Sequence, residues 1–444
     1  MRNENILSLW QKTIQSTYDR FLTDMAVVAR SMNIPLYLVG GFLRDMILGN
    51  LVKETIDLDI VVEGDALAFA DVLQKTYGGR IRKHQRFGTA NWFLHEKKNR
   101  WVNSSDPFPD ILDIISARRE VYRYPGALPL VLRGSITDDL DRRDFSINTL
   151  AMRIDTAQPV LIDRHNAFDD IKTGTIRVLH ERSFVDDPTR IFRAVRYEQR
   201  YQFHIDDNTY QQILTCVECI KKISADRIRN EINHILEEKK LIEMLERLDM
   251  LGVLTVIQPG LLFKDTQKSR VYKVVQEINA GNQRQPILTH DFRQKMVFAA
   301  WLTSFEWPHS QAYATRLNLP ASLKQILDGY YRIHRKREII ENSQPIDVTE
   351  YLETIPLQSI RLAAMLEGDP EFQAALQNYL FHWRNIHPTI DGSDLKQRGV
   401  PSGPAFAFIL RRLRAARLNG IIHSHQSENE YLDLILAEMK DDDA

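Results

Sequence analysis

Leu36-Tyr37-Leu38-Val39-Gly40-Gly41-Phe42-Leu43-Arg44-Asp45 is followed, after a short gap, by Ile56-Asp57-Leu58-Asp59-Ile60. The apolar run reads as a strand that stops at the double glycine. A helix-like segment, 41–48, carries Arg44 and Asp45. A second apolar strand then carries Asp57 and Asp59, which at i and i+2 project to one face. Two like charges side by side are costly unless a cation joins them. Hard oxygen ligands at that spacing suit Mg²⁺, with phosphates completing its shell. A double glycine at a strand-to-helix turn lets phosphate approach backbone N–H groups at Gly40 and Gly41. Taken singly, Gly-Gly reads as a turn and Asp-x-Asp as a solvated strand edge. Their order and spacing together describe a nucleotidyl-transfer site.

The whole chain sets the bounds. Its 444 residues imply two to four domains. With 43% hydrophobic and 26% charged residues it is a globular composition. A formal net charge of −1 means that only local clusters would signal nucleic acid. No apolar run approaches the ~18–20 residues that span a bilayer, and the N-terminus has no signal pattern. A cytoplasmic location, with no membrane and no obligatory protein partner, is the expectation. The two cysteines, Cys216 and Cys219, form a Cys-x-x-Cys. Lacking a second pair, they are expected as reduced thiols on a helix rather than a zinc or redox site.

Strands are expected at 35–39, 56–62, 80–84, 89–95, 110–116 and 151–153, and helices at 5–31, 41–48 and 64–77. From about residue 183 the apolar spacing turns helical, at 187–202, 207–221, 225–238, 239–250, 290–305, 321–341, 357–366, 370–384 and 404–418. Residues 259–287 and 385–403 read as loops. The fold class is therefore an α/β head (a mixed sheet with helices) followed by an all-α remainder.

Further carboxylates and cations complete the chemistry. Asp113 lies in the strand at 110–116 and is preferred to Asp110 as a third acid. Two-metal phosphoryl chemistry needs several carboxylates to converge. Arg142-Arg143-Asp144-Phe145-Ser146-Ile147-Asn148 offers arginine forks for a triphosphate and a carboxylate for a ribose hydroxyl. It reads equally well as a charged helix start. In Asp186-Asp187-Pro188-Thr189-Arg190-Ile191-Phe192-Arg193-Ala194-Val195-Arg196, Asp187 and Arg190 share a helical face. Cytosine and adenine each present an amino donor beside a ring-nitrogen acceptor. Aspartate accepts from the first and arginine donates to the second. Guanine and uracil have the opposite polarity and would leave buried groups unsatisfied. Alone, this pair would be read as a surface salt bridge.

These segments resemble the bacterial class II tRNA nucleotidyltransferases, the CCA-adding enzymes and their poly(A) polymerase relatives. The resemblance rests on 40–45, 57–59, 142–148, 186–190 and Ser224-Ala225-Asp226-Arg227-Ile228-Arg229-Asn230-Glu231, in the family's order. Segments 161–171 and 390–404 resemble the hinge and tail. The resemblance implies a nucleotidyltransferase head (1–155), a neck with a nucleotide-template helix (156–240), a helical body (241–385) and a helical, tRNA-binding tail (386–444). It implies template-independent addition of C and/or A residues of the 3′-terminal CCA to tRNA, from CTP and ATP with Mg²⁺. CC-only, A-only and poly(A) activities remain alternatives, as does a non-catalytic RNA-binding protein.

On this resemblance Asp57 and Asp59 are metal ligands and, with Asp113, catalytic. Gly40, Gly41, Arg44, Arg142, Arg143, Asp144, Asn148, Asp187, Arg190, Arg193 and Arg196 bind the nucleotide, and Arg227 and Glu231 brace the template helix. Two departures stand out. Asp186 replaces the usual Glu, and Arg164-His165-Asn166 replaces a glycine-rich hinge. The loop at 120–129 is the segment that in the family helps the switch from C to A. His290-Asp291 hints at a metal site but is expected to be a capped helix start. From Leu395 to Ser427 there is no acidic residue. Lys396, Arg398, Arg411 and Arg412 in that stretch are expected to contact tRNA phosphates, although such clusters also occur as solvated helix faces.

Overall fold

A computed structural model describes residues 2–14, 19–50, 58–95, 109–124, 126–282 and 289–442. Its contacts divide the chain into two compact units, Met1–Ile257 and Gln258–Ala444.

The first unit is built on a seven-stranded mixed sheet. Its strands are β1 (Leu36–Val39), β2 (Asp59–Val62), β3 (Arg80–His84), β4 (Thr89–Phe93), β5 (Ile111–Ser116), β8 (Leu150–Arg153) and β9 (Val160–Asp163), in the order β3-β4-β5-β2-β1-β8-β9. A separate hairpin pairs β6 (Arg118–Val121) with β7 (Leu130–Arg133). Every residue of β1 is buried, as befits a central strand covered on both faces. Strands β4 and β5, farther out, alternate instead. On one face Tyr37, Val39, Val61 and Ala151 pack with Ile136 and Leu140 of the helix Ile136–Asp141. The helix Ala66–Tyr77 packs on β4 and β5, its first N–H groups capped by the Asp65 carboxylate. Within the sheet only β2 and β5 run parallel, and their register sets Asp59 beside Asp113.

The largely helical part of this unit begins at the turn Ser183–Asp186 and the helix Arg190–Tyr201; contrary to the all-α expectation, a short strand, His204–Ile205, follows and pairs in parallel with Thr175–Ile176. The helix Ala225–Leu236 is capped by Ser224. Asn166, in the segment expected as a hinge, sits at φ 56°. Asparagine takes this left-handed conformation more readily than other side chains, so the missing glycine is accommodated. Arg164 and His165 both hold Asp141 there.

The second unit is helical throughout. Its C-terminal core joins Leu395, Ile409, Leu413, Leu432 and Ile435. Thr289 caps the helix His290–Leu302 by accepting from the Phe292 N–H, as expected.

Of the helix expected at 5–31, both described stretches, Arg2–Ile14 and Asp19–Ser31, are helical. Several other sequence expectations need correction. Residues 259–287, read as loop, contain the helix Asp265–Asn282, which buries Val271, Val274 and Ile278. Gly392–Gln397 is a short helix in the second expected loop. The helix at 207–221 changes to a tighter 3-10 turn at Val217. Cys216 and Cys219, which flank that change, are joined as a disulfide rather than left as thiols. Among the described residues no helix is long and apolar enough to cross a membrane.

Candidate active site

The site is a cleft of about 630 Å³ in the first unit, lined by Gly41, Asp59, Arg142, Arg143, Asp187 and Arg190 among others. Its carboxylate floor follows from strand register. Asp59 opens β2 and lies beside Asp113 in β5, with Asn91 opposite Asp113 in β4. Residues paired in register share a face, so the two acids converge. Asn91 donates to Asp113 at 2.5 Å and shares its other amide end with His84 at 2.9 Å. This fixes one Asp113 oxygen. Asp57 lies outside the described residues. No cluster of three or more potential metal ligands occurs among those described.

Above this floor the chain turns sharply. Gly40 sits at φ 70°, and a Cβ there would lie 2.7 Å from Arg143 Nη1 and 3.8 Å from Asp59 Oδ2. Glycine is required for both reasons. The Gly40 N–H donates to the Leu150 carbonyl, while Gly41 begins the helix Gly41–Leu48 facing the cleft. Arg44, on that helix, is buried. It donates to Asn148 Oδ1 at 2.5 Å and to both Asp45 oxygens. Its guanidinium lies 4.6 Å from the Tyr201 ring centre and 5.4 Å from that of Tyr197, a cation–π arrangement.

The arginine motif is held from below by a residue that sequence reading missed. Asp139 is fully buried and accepts from Arg142 (2.7 and 3.0 Å) and Arg143 (3.1 Å). Burial would raise its carboxyl, but the two arginines outweigh this and hold it below the usual range. The signal was present as Asp139, three residues before Arg142 and four before Arg143. Glu120, also missed, takes a second bond from Arg142 and one from the Tyr122 hydroxyl. Burial pushes the Tyr122 hydroxyl up, helped by Glu120.

Asp144 is buried as well. Its Oδ1 accepts from Asn148 and the Phe145 N–H, both at 2.9 Å, and its Oδ2 from Arg193 Nε at 2.7 Å. Burial works against the charge, but Arg193, Asn148 and Arg190 hold the carboxyl far below its ordinary value.

The template pair meets in the cleft. Arg190 is buried and donates to Ser183 Oγ and to the Arg142 carbonyl, both at 2.7 Å. Two of its five N–H donors are thus used. Asp187 Oδ1 accepts from Thr189 N–H (3.1 Å), Thr189 Oγ1 (2.6 Å) and Arg227 (2.6 Å). Its Oδ2 has no hydrogen-bond donor among the described residues. Arg227 and Glu231 do not pair with each other, as helix spacing suggested. Arg227 instead links Asp187 to the Gly126 carbonyl at 2.9 Å, and the Gly126 N–H donates to Val185. The 120–129 loop is thereby tied to Asp187.

Glu231 faces Arg196 at 3.6 Å, and its burial raises its carboxyl. Arg196 pairs with Glu231, itself a cleft residue, and with Glu238, but is not among the residues that line the cleft. Arg200 lines the cleft in its place.

The basic stretch in the second unit is less bare than its sequence. Arg411 meets Asp347 and Glu350, Arg412 meets Glu438, and Arg398 meets Asp433. Lys396 is exposed and has no carboxylate partner among the described residues.

Comparison with known proteins agrees with this geometry. Residues 36–177 match the family described as Poly A polymerase head domain, and 202–264 match the probable RNA and SrmB- binding site of polymerase A. The chain is 33% identical over 95% of its length to an A-adding tRNA nucleotidyltransferase of Geobacter sulfurreducens, but spans only 47% of that protein. It is 29% identical to an A-adding tRNA nucleotidyltransferase of Halalkalibacterium halodurans, with 97% and 95% of the two chains covered. It is 30% identical to the CC-adding enzyme of Deinococcus radiodurans, over 89% and 88%. Among solved structures, an apo CCA-adding enzyme superposes with a TM-score of 0.77 at 27% identity, covering 97% and 98% of the chains. The Thermotoga maritima CCA-adding enzyme with tRNA gives 0.69 at 26%, covering 95% of each. A CCA-adding enzyme with ATP gives 0.73 at 26%, covering 97% and 98%. The chain belongs to the tRNA nucleotidyltransferase and poly(A) polymerase family.

Proposed function

We propose that this chain transfers nucleotidyl groups from CTP and/or ATP to the 3′ end of tRNA without a nucleic-acid template. The observation that carries the reading is Asp59 in the cleft with Arg142, Arg143, Asp187 and Arg190, and Asp113 set beside Asp59 by strand register. The tRNA 3′-hydroxyl attacks the α-phosphate, one P–O bond forms, and pyrophosphate leaves with the electrons of the bond that breaks.

The residues fit a divalent cation. Asp59, with Asp57 from the sequence, supplies hard oxygen donors, while Asp113 is oriented by Asn91. When bound, Mg²⁺ supplies Lewis-acid stabilisation of charge on the reacting oxygens. Arg143, against Gly40, stands where the phosphates enter. Asp187 Oδ2 accepts from the amino group of the incoming base and the remaining Arg190 donors meet its ring nitrogen. Asp144 and Asn148 lie where the ribose hydroxyls are read, and in the second unit Lys396, Arg398, Arg411 and Arg412 contact the tRNA backbone. In domain terms we assign 1–155 to the head, 156–240 to the neck, 241–385 to the body and 386–444 to the tail. A cytoplasmic setting follows from the tRNA substrate.

A narrower reading is favoured by the relatives. The Geobacter and Halalkalibacterium proteins are both A-adding, so the product is the terminal A. The test offers tRNAs ending before CCA, after C and after CC, each with ATP or CTP. Extension of the CC-ending tRNA alone, with ATP alone, is expected. Extension of all three would restore full CCA addition. No extension of any, or unchanged extension by Asp59→Ala, would sink the transfer reading.

A further inference from the structure

A second cavity of about 760 Å³ lies within the helical unit, between the helices Asp265–Asn282, His290–Leu302, Leu357–Leu366 and Pro370–Phe381 and the turn Trp383–Asn385. Nothing in the transfer reaction uses it. Two arginines line it, Arg361 and Arg384. Neither donates a hydrogen bond nor meets a carboxylate among the described residues. This is unusual here, where Arg398, Arg411, Arg412, Arg414 and Arg417 all have acidic partners. Both are half-buried. Burial and the neighbouring Arg384 push the Arg361 guanidinium down from its ordinary value. An anion between them would relieve both penalties.

The rest of the wall mixes aliphatic side chains, such as Ile278, Met365 and Leu380, with two phenylalanines and three amides. Arg361 stacks on Phe292 at 5.7 Å from the ring centre. Phe381, 65% exposed, also lines the cavity. Gln377 also lines the cavity. Glu277 is on the exposed rim and pairs with neither arginine.

A purely apolar ligand would leave two guanidiniums unmatched. A bare inorganic anion would leave the aromatic faces wet. A nucleotide satisfies both, because every base has a π-face that stacks on aromatic side chains. The volume is within the ~300–1,000 Å³ of ordinary ligand sites. We propose that this cavity binds a nucleotide, with its phosphate between Arg361 and Arg384 and its base against Phe292 and Phe381. The nucleotide is either free or an unstacked unit of an RNA strand. The site is separate from the transfer cleft.

Two binding measurements, neither requiring turnover, test this and distinguish the sources. In calorimetric titration with ATP, a free-nucleotide site gives two ATP per wild-type chain and one for Arg361→Gln/Arg384→Gln. In filter binding of tRNA lacking its terminal A, an RNA site gives at least a tenfold loss of affinity in that variant. The slope of log K against log salt then flattens by about one per phosphate released. Phe381→Ala, an exposed truncation that spares the fold, lowers affinity in whichever arm responds without changing the salt slope. Arg361→Lys/Arg384→Lys restores part of it. If the double glutamine variant does not fold, Phe381→Ala decides on the same readouts. One ATP per wild-type chain, together with unchanged tRNA affinity in the variants, overturns the proposal. Because binding is read directly, that failure is distinct from failure of the transfer reading.

Discussion

Replacing Arg193 by Gln removes the only cation hydrogen-bonded to the buried Asp144 carboxylate among the described residues. Asp144 Oδ2 lies 2.7 Å from Arg193 Nε and 2.6 Å from its Nη2. Breaking a buried ion pair from one side costs ~3–5 kcal/mol, because the remaining charge is stranded. Two facts reduce this. The Arg193 side chain is 36% exposed, so solvent screens part of the attraction, and Asp144 Oδ1 keeps its bonds from Asn148 and the Phe145 N–H. We therefore expect about 2–3 kcal/mol, or about 4–12 °C in the melting of the first unit. In a double-mutant cycle with Asp144→Asn, the double variant should be less destabilised than the sum of the singles by about 2 kcal/mol. The pH dependence fixes the sign. The wild-type carboxyl is held below its ordinary 3.8. The stability it contributes is thus complete above about pH 5 and is lost as pH falls through 3.8 toward the folded value, by up to ~1.4 kcal/mol per unit. Urea unfolding at pH 7, 4 and 3 should show the gap between wild type and Arg193→Gln narrowing below pH 4. Additive single effects, or a gap that widens on acidification, would refute the account.

Arg227→Ala should release both Asp187 and the Gly126 carbonyl. We expect a roughly tenfold rise in KM for the accepted nucleotide and a similar loss of discrimination against GTP, about 1.4 kcal/mol each, read by steady-state assays with each NTP in turn. Gly40→Ala forces a side chain into a left-handed backbone at ~1–2 kcal/mol and against Arg143. Transfer should fall by at least ~100-fold while tRNA binding persists, and near-wild-type turnover would contradict the role given to this turn. In the helical unit, Glu428 is fully buried and accepts from Arg417 and the Thr389 N–H. Glu428→Gln should cost about 1.5–3 kcal/mol there, seen as faster limited proteolysis around His425, with the nucleotide choice of the cleft unchanged.

What could be read from the residues was whatever depends on near neighbours. The strand at Leu36–Val39, the glycine turn and the helix after it follow from apolar spacing and backbone freedom over a dozen positions. Asp113 was placed correctly because Ile111 and Leu112 put it inside a strand. The hairpin of β6 and β7 escaped notice because Arg118-Arg119-Glu120 carries no apolar alternation; its side chains pair with charges rather than a core. The helix Asp265–Asn282 was hidden for a related reason, since only a narrow apolar stripe runs through an otherwise polar segment.

Charge was the least legible property, because neutralisation is long-range. The run from Leu395 to Ser427 is free of acids in sequence, yet Asp347, Glu350, Glu353 and Glu438 come from elsewhere in the chain to meet it. The same blindness concealed Asp139, whose value lies in being buried under two arginines. A positive residue can recruit a phosphate cheaply only where the fold has not already given it a carboxylate, since displacing that partner offsets the gain. By this criterion the arginines of the tail are weaker phosphate ligands than their density suggests. Lys396 keeps its full charge for RNA. Arg361 and Arg384, which no motif marks, become the cations in the helical unit with most to gain from an anion.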